Sequence, residues 1–464
     1  MTSNVFSILL PEIKELIAQG DRAALSAFCR GVHPADVAEA IADLSPDDLE
    51  RFFALVDAEE GAEVFGHLPE ELQVRLATRI GTRRLAAVLT HMPPDERVDL
   101  VKAIPEEARE AVLPALAHAE REDIRRLAAY QEGTAGSVMT SDYASLPPDI
   151  TVREALERLR HEAPDRETIY YVYIVDSDHR LIGFVSLKDL ILARPDQRLD
   201  ELMHREIISV NATDDQETVA REIQKYDFIA IPVVDDRGVL VGIVTHDDAL
   251  DILTQEQTED LEKLMAIGGS HEPGVYLAKP AWEHFRNRAG WIVGLAALEI
   301  VSGWIIHSYE ATLSHLMILA LYMPMVADTG GNTGSQSATV VVRALALGEI
   351  KPSFKDILRV LWKELQVAVL LAVVLGVLSS GKVLFLSHHS YIPAGFSLGP
   401  IAGVIGLALA IQVVTATLVG AILPMGAAAL DLDPAVVASP ALTTIVDITG
   451  LLIYFTTAKM LLGI

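Results

Sequence analysis

One cysteine, Cys29, stands among 464 residues, which excludes an internal disulfide framework and a Cys-rich zinc site. Basic residues are scarce. Against 64 Asp plus Glu there are 37 Lys plus Arg, a formal charge of −27 and a pI near 4.8. Phosphate recognition needs a positive face, so nucleic acid is excluded as an expected partner. A His-Glu-x-x-His run and a Gly-x-x-x-x-Gly-Lys-Ser/Thr loop are both missing, which removes an intramembrane metalloprotease and an ATPase from consideration. His388 and His389 are adjacent, but they lie in a loop between apolar runs, where surface histidines are common. The opening MTSNVFSILLPEIKEL has neither a positive n-region nor a long apolar core. The expectation is no cleaved secretory signal and a cytoplasmic N-terminal part.

Long apolar runs, by contrast, are abundant. Hydrophobic residues make up 51% of the chain and the mean hydropathy is +0.32, yet 22% of residues are charged. A soluble protein has ~45–50% apolar residues even with glycine counted, so the two figures fit only if the halves differ. Residues 1–280 carry 28 bases and 54 acids, whereas residues 281–464 carry 9 and 10. Five apolar stretches follow Ala289, at 290–308, 312–342, 362–386, 398–428 and 440–463. Each reaches the ~20 residues that cross a bilayer as a helix. Lys279, Arg286 and Arg288 precede the first. Arg343, Lys351, Lys355, Arg359 and Lys363 surround the loop after the second, and Lys382 is the one base in the loops after the first and third. This positive-inside pattern places the N-terminus in the cytoplasm and, after five spans, the C-terminus outside. The acidic loop 431–440 fits the rule poorly.

A charge at membrane depth costs ~2.5–3.5 kcal/mol or more and usually faces a cavity or a partner. Glu299 falls in the first span, Asp328 in the second (PMVADTGGNTGSQSATVVVRAL) and Asp447 in the last (SPALTTIVDITGLLIY). In the second span Pro324 is followed by Gly330, Gly331, Asn332 and Gly334. Such a run predicts a broken helix lining a wet cavity, with oxygens from Asn332, Thr333, Ser335, Gln336 and Ser337. The last span opens at Pro440 after Ser439, leaving the preceding carbonyls free for a cation or its waters. Two polar or broken helices in an apolar bundle read as a permeation path.

The acidic half holds an internal repeat. VDSDHRLIGFVSLKDL from Val175 matches VVDDRGVLVGIVTHDDAL from Val233, pairing Gly183 with Gly242, Ser186 with Thr245 and Asp189 with Asp248 at a constant offset of 59. Each unit reads strand, helix, two strands around an acidic turn, then helix. Before it, residues 1–130 read as all-helical. LSPDDLERF, LPEELQVRL, MPPDERVDL and IPEEAREAVL each place proline and acids at a helix start. A superhelical stack of short helices is expected. After the repeat an acidic helix carries Asp248, Asp251, Glu256, Glu259 and Asp260, the last three on one face. A short helix at the membrane surface, around 275–288, is then expected to lead into the first span.

The repeat resembles a pair of cystathionine-β-synthase (CBS) domains. With GGNTGSQSA and SPALTTIVDITGLLIY the whole chain resembles the MgtE family of bacterial magnesium channels. That resemblance implies a multidomain fold: an all-α superhelical N domain (1–130), an α/β CBS pair (131–200 and 201–255), a linking or plug helix region (256–288) and an α-helical transmembrane bundle of five helices (289–464). It implies a homodimer in the bacterial inner membrane, with a pore between subunits and Asp447 as the ion site. Asn332, Asp328, Ser439, Thr443 and Thr444 complete the expected pore set, Ser439 standing where the family often has Asn. Mg²⁺ keeps several waters and is usually held by one or two carboxylates. Two-fold symmetry would supply two Asp447 side chains.

The resemblance also places an intracellular Mg²⁺ sensor in the acidic domains. Its expected ligands are Asp95, Asp248, Asp251, Glu256, Glu259 and Asp260, with Glu59, Asp215, Glu217 and Asp227 beside them. Bound Mg²⁺ would cancel repulsion, close the domains and hold the pore shut. Ser186, Asp189, Thr245 and Asp248 are expected to hold ATP in the CBS pair. A secondary transporter of divalent cations, with Glu299 and Asp328 as coupling groups, is the competing reading. No enzymatic activity is expected.

Overall fold

The computed structural model describes residues 3–163, 166–269, 276, 279–430, 432–437 and 440–464. The chain divides into two compact units, residues 1–256 and 257–464.

The first unit opens with ten α-helices, from α1 (Ser3–Gln19) to α10 (His118–Leu127). Proline and acids mark the starts as expected: helices begin at Pro46, Glu70, Pro94 and Glu106. The apolar residue before each start, Leu44, Leu68, Met92 and Ile104, is buried. At Leu68, Met92 and Ile104, a side chain five residues further on turns back to the carbonyl of that same residue. Gln73 donates to Leu68 O (2.8 Å), Arg97 to Met92 O (2.7 Å) and Arg109 to Ile104 O (3.2 Å), and Arg121 repeats the bond to Leu116 O (3.1 Å). The last carbonyls of a helix have no partner within it. These four helices therefore each satisfy a carbonyl at the end of the preceding one, and a polar repeat accompanies the apolar one.

Two three-stranded sheets follow. Strands β1 (Tyr143–Leu146), β2 (Thr168–Val175) and β3 (Leu181–Ser186) form one in that order. Strands β4 (Val210–Asn211), β5 (Ala230–Val234) and β6 (Leu240–Thr245) form the other. In both, the first pair is parallel and the second antiparallel. Tyr171 pairs with Ser186 in one sheet and Ala230 with Thr245 in the other, so the offset of 59 is carried into the register. The hairpin tips also meet: Leu181 N donates to Gly238 O and Leu240 N to His179 O, a local two-fold exchange. Helix α11 (Val152–Glu162) lies between β1 and β2, and α14 (Gln216–Tyr226) between β4 and β5. Helix α15 (His246–Leu264) starts directly after β6.

The second unit is helical. Its long helices are α16 (Ala281–Ser308), α18 (Ile318–Ala346), α19 (Phe354–Leu386), α20 (Leu398–Ala429) and α22 (Pro440–Leu462), with short α17 (Glu310–His315) and α21 (Pro434–Val437) between them. Helices α16, α19, α20 and α22 are long and apolar enough to cross a membrane. Helix α18 has the length, but its polar stretch lowers its hydropathy. Two expectations are corrected here. The second span is unbroken: α18 runs through Pro324 and the glycines as one helix. One missing hydrogen bond is tolerated because α18 packs closely on α20. A side chain at Gly420 would collide with Gly334 O, so two glycines set that approach. The short surface helix is not separate either, since α16 starts at Ala281 and continues through the first span. Residues 275, 277 and 278 of that expectation lie outside the described residues. Helix α20 is central, with a long series of buried residues from Ile401 to Ala427.

Candidate ion pathway and acidic sites

Asp447 lies in the first half of α22, half-buried, opposite α18. A Cβ at Gly331 would sit 3.3 Å from the Thr443 methyl and 4.0 Å from Asp447 Oδ1. A glycine here lets the α18 backbone come up against the carboxylate. One turn away, Asn332 Nδ2 donates to Asp328 Oδ2 at 3.3 Å. Thr333 Oγ1 is spent on the carbonyls of Thr329 and Gly330. Thr444 is buried and Thr443 half-buried. Asp328, Asn332 and Glu299 are exposed on the single chain, Glu299 among apolar neighbours in α16 and the other two in the polar, glycine-rich stretch of α18. Helix α22, which carries Asp447, packs against α18, which carries Asp328, and against α16, which carries Glu299. Three packed helices thus carry one acid each, although among the described residues no three His, Cys, Asp or Glu side chains converge as a metal cage. Ser439 lies outside the described residues.

A second acidic site forms in the first unit. Asp95 enters the first turn of α8 (Pro94–Ala103), and its Oδ1 is buried without a hydrogen-bond partner among the described residues. Burial raises its carboxyl well above the ordinary range, and the charges of Asp248, Glu96 and Glu167 add to the effect. Asp248, at the start of α15, is pushed up to about 6, by burial first and with Asp247 and Asp251 adding. Glu96 and Glu167 are each raised to about 7 and Asp99 to about 6, again with burial first and Asp248 contributing. Asp251 is also raised, by burial and Asp247. Five acids from the helical stack and the sheet region therefore share one negative pocket with Asp247 and Asp251. They too stop short of a closed cage. Glu96 reaches Gly66, where any side chain would strike its carboxylate.

The other expected sensor acids lie elsewhere. Glu59 sits in the first turn of α5 (Ala58–Gly66). Asp215 caps α14 by accepting from Glu217 N at 2.9 Å, Glu217 pairs with Arg221, and Asp227 closes α14 in the left-handed region at φ 54°. Glu256 accepts from Gln216 Nε2 at 2.7 Å. In the second unit Lys263 Nζ pairs with both Glu259 and Asp433, the latter at 2.9 Å. Asp260, also in the second unit, lies on the same helix. The sequence reading missed Glu96, Asp99, Glu167 and Asp247. The adjacent acids in MPPDE and THDD were the available signal for two of them.

Ser186, Asp189, Thr245 and Asp248 serve locally as caps. Ser186 Oγ donates to Asp189 Oδ2 at 2.6 Å, and Thr245 Oγ1 to Asp248 Oδ2 at 2.5 Å. Nearby is a cleft of about 310 Å³ walled by Tyr171, Tyr173, Phe184, Tyr226 and Phe228, with Glu206 at its edge. None of the four cap residues lines it directly. Asp189 connects to its wall through His204, whose Nε2 lies 3.2 Å from Asp189 Oδ2 and whose ring stacks on Phe184. The Tyr173 hydroxyl is buried without a partner. Asp248, by contrast, belongs to the acidic pocket.

Comparison with known proteins meets these features in order. Residues 32–133 match the MgtE intracellular N domain, 135–196 and 199–255 match CBS domains, and 323–457 match the divalent cation transporter domain MgtE. The magnesium transporter MgtE of Thermus thermophilus is 37% identical over 457 residues, covering 98% of each chain. The chain belongs to the MgtE family. The magnesium transporter MgtE of Bacillus subtilis is 32% identical over 424 residues, covering 91% of each. Among solved structures, the soluble part of a magnesium transporter is 30% identical, with a TM-score of 0.52 over 54% of this chain and 99% of that one. The cytosolic domain of the Mg²⁺ channel MgtE in complex with ATP is 37% identical, with a TM-score of 0.50 over 53% of this chain and 100% of that one. Both acidic sites and the aromatic cleft are thus features of an MgtE-family chain.

Proposed function

We propose that this chain forms a homodimeric Mg²⁺ channel of the bacterial inner membrane, gated by Mg²⁺ on its cytoplasmic side. The observation that carries the reading is the exposure of Glu299, Asp328 and Asn332 beside Asp447 in an apolar bundle. Charges at that depth need a cavity or a partner. A second copy supplies both, brings two Asp447 carboxylates to one axis, and leaves room for an ion that keeps its waters. Thr443 and Thr444, one turn before Asp447 on the same helix, hold that water shell together with Ser439 of the same motif. Basic flanks orient the N-terminus to the cytoplasm and the C-terminus outside.

Gating rests on the acidic pocket. Asp95, Asp248 and Asp251, joined by Glu96, Asp99, Glu167 and Asp247, repel one another when ionised and are drawn together by Mg²⁺. Glu256, Glu259 and Asp260 carry this signal along α15, while Glu59, Asp215, Glu217 and Asp227 are secondary sites. Residues 1–130, 131–200, 201–255, 256–288 and 289–464 act as sensor, CBS domain 1, CBS domain 2, linking region and pore. ATP occupies the aromatic cleft with its base on Tyr171 and Phe228 and its sugar side toward Asp189, and modulates the closed state. Asp447→Ala is the direct test in Mg²⁺-starved cells. Uptake is expected to be lost with folding retained, and wild-type uptake refutes the pore assignment.

A further inference from the structure

Gln412 sits in the middle of α20 with no exposed surface. A primary amide at the centre of an apolar bundle is costly wherever one of its atoms goes unpaired. Its Nε2 donates to the Val446 carbonyl at 2.8 Å. A carbonyl only accepts, so the nitrogen must face it and the oxygen must turn away. That oxygen, Oε1, is buried without a hydrogen-bond partner among the described residues. Two glycines make room for the amide. A Cβ at Gly330 would fall 2.5 Å from Nε2, and one at Gly450 would fall 2.7 Å from it. Gly330 belongs to α18 and Gly450 to α22, so the side chain fills the point where three helices meet.

The surroundings of that point matter for the ion site. Val446 immediately precedes Asp447, and its carbonyl also accepts from Thr449 Oγ1 at 3.0 Å. Gly331, which lies against Asp447, immediately follows Gly330. One amide therefore touches both backbone segments that set the carboxylate. Methionine would fill the same volume without leaving an orphan acceptor, so packing alone does not account for glutamine here. We propose that Gln412 is a positioning residue for permeation, holding Asp447 in register against Gly331 through its bond to Val446 and its seat on Gly330. The proposal rests on reading Asp447 as the ion-binding carboxylate. Without the donor, α22 keeps its packing but loses the bond that fixes its rotation at Asp447. A displaced carboxylate changes how tightly a hydrated ion is held.

The test uses the full chain in liposomes, with Mg²⁺ influx measured against Mg²⁺ concentration and Asp447→Ala run in parallel. Gln412→Met keeps length and removes the donor. The half-saturating Mg²⁺ concentration is expected to rise about tenfold or more, with the melting temperature and oligomeric state of the wild type. A folded Gln412→Met channel with wild-type half-saturation overturns the proposal. Gln412→Glu gives a second readout that packing alone would not move. Buried where a charge is not solvated, that carboxyl stays protonated and can still donate to the Val446 carbonyl, so its half-saturation should stay near wild type while that of Gln412→Met rises. If Gln412→Met does not fold, Gln412→Leu takes its place, and a folded Gln412→Leu channel with wild-type half-saturation overturns the proposal. Lost uptake in Asp447→Ala beside wild-type half-saturation in Gln412→Met or Gln412→Leu overturns the positioning role alone. Normal uptake in Asp447→Ala overturns the ion-site reading and this proposal with it.

Discussion

Neutralising one acid, Asp95→Asn, gives a sharp prediction for the acidic pocket of the first unit. Its neighbour Asp248 is moved from 3.8 to about 6, by burial first and with Asp247 and Asp251 adding. Asp95 is raised well above its ordinary range, and its Oδ1 is buried with no hydrogen-bond partner among the described residues. An uncompensated buried charge of this kind costs a few kcal/mol, so removing it should stabilise residues 1–264, free of divalent ions at pH about 7.5, by about 2–3 kcal/mol. At about 2–4 °C per kcal/mol for a domain of this size, the melting point rises by about 5–10 °C. The pH dependence has a definite sign. These carboxyls are raised in the folded state, so the stability they contribute is fully present below about 4 and is lost as pH rises through about 6–7. The wild type without divalent ions should therefore melt higher at pH about 5 than at pH about 8, and the variant should show a flatter profile. Millimolar Mg²⁺ should restore the wild type at neutral pH and raise the variant less. Thermal melting across pH, with and without Mg²⁺, checks both. A lower melting point for Asp95→Asn in the absence of divalent ions, or an undiminished response to Mg²⁺, refutes the reasoning.

Two further substitutions probe the same unit. Tyr173→Phe removes a hydroxyl of the cleft wall that has no hydrogen-bond partner among the described residues. It should leave stability unchanged or slightly improved while weakening ATP binding by about 1–2 kcal/mol, or about 5- to 30-fold. Calorimetric titration of ATP measures the loss, and an unchanged affinity removes Tyr173 from the nucleotide site. Arg97→Ala deletes a 7%-exposed guanidinium that bonds Leu89 O and Met92 O, each at 2.7 Å. Urea unfolding should show a loss of about 2–4 kcal/mol, and a loss below about 1 kcal/mol contradicts the capping role.

Much of this architecture is legible in the residues. The 59-residue offset between Ser186 and Thr245 reappears as the pairing register of β2–β3 and β5–β6, because repeated side-chain alternation leaves a strand one way to bury its apolar face. Leu44, Leu68, Met92 and Ile104 are readable as an inner seam for the same reason. Their polar companions Gln73, Arg97, Arg109 and Arg121 are not, since a side chain returning to a carbonyl five residues back leaves no apolar period. The continuity of α18 is hidden because rules for proline and glycine describe a helix alone, whereas Gly330, Gly331 and Gly334 act here as contact points for α20 and α22. Asp447 stands out as a lone charge in an apolar run. Glu96, Asp99 and Glu167 do not, since exposed acids are common and only the tertiary fold brings these three to Asp95 and Asp248.

Excised inside-out membrane patches address the central claim most directly, with Mg²⁺ titrated on the cytoplasmic face and Asp447 intact. The account predicts Mg²⁺-carried single-channel currents whose open probability falls as cytoplasmic Mg²⁺ rises, with a weaker fall in Asp95→Asn. Currents indifferent to cytoplasmic Mg²⁺, or flux that requires a proton or sodium gradient, would contradict it.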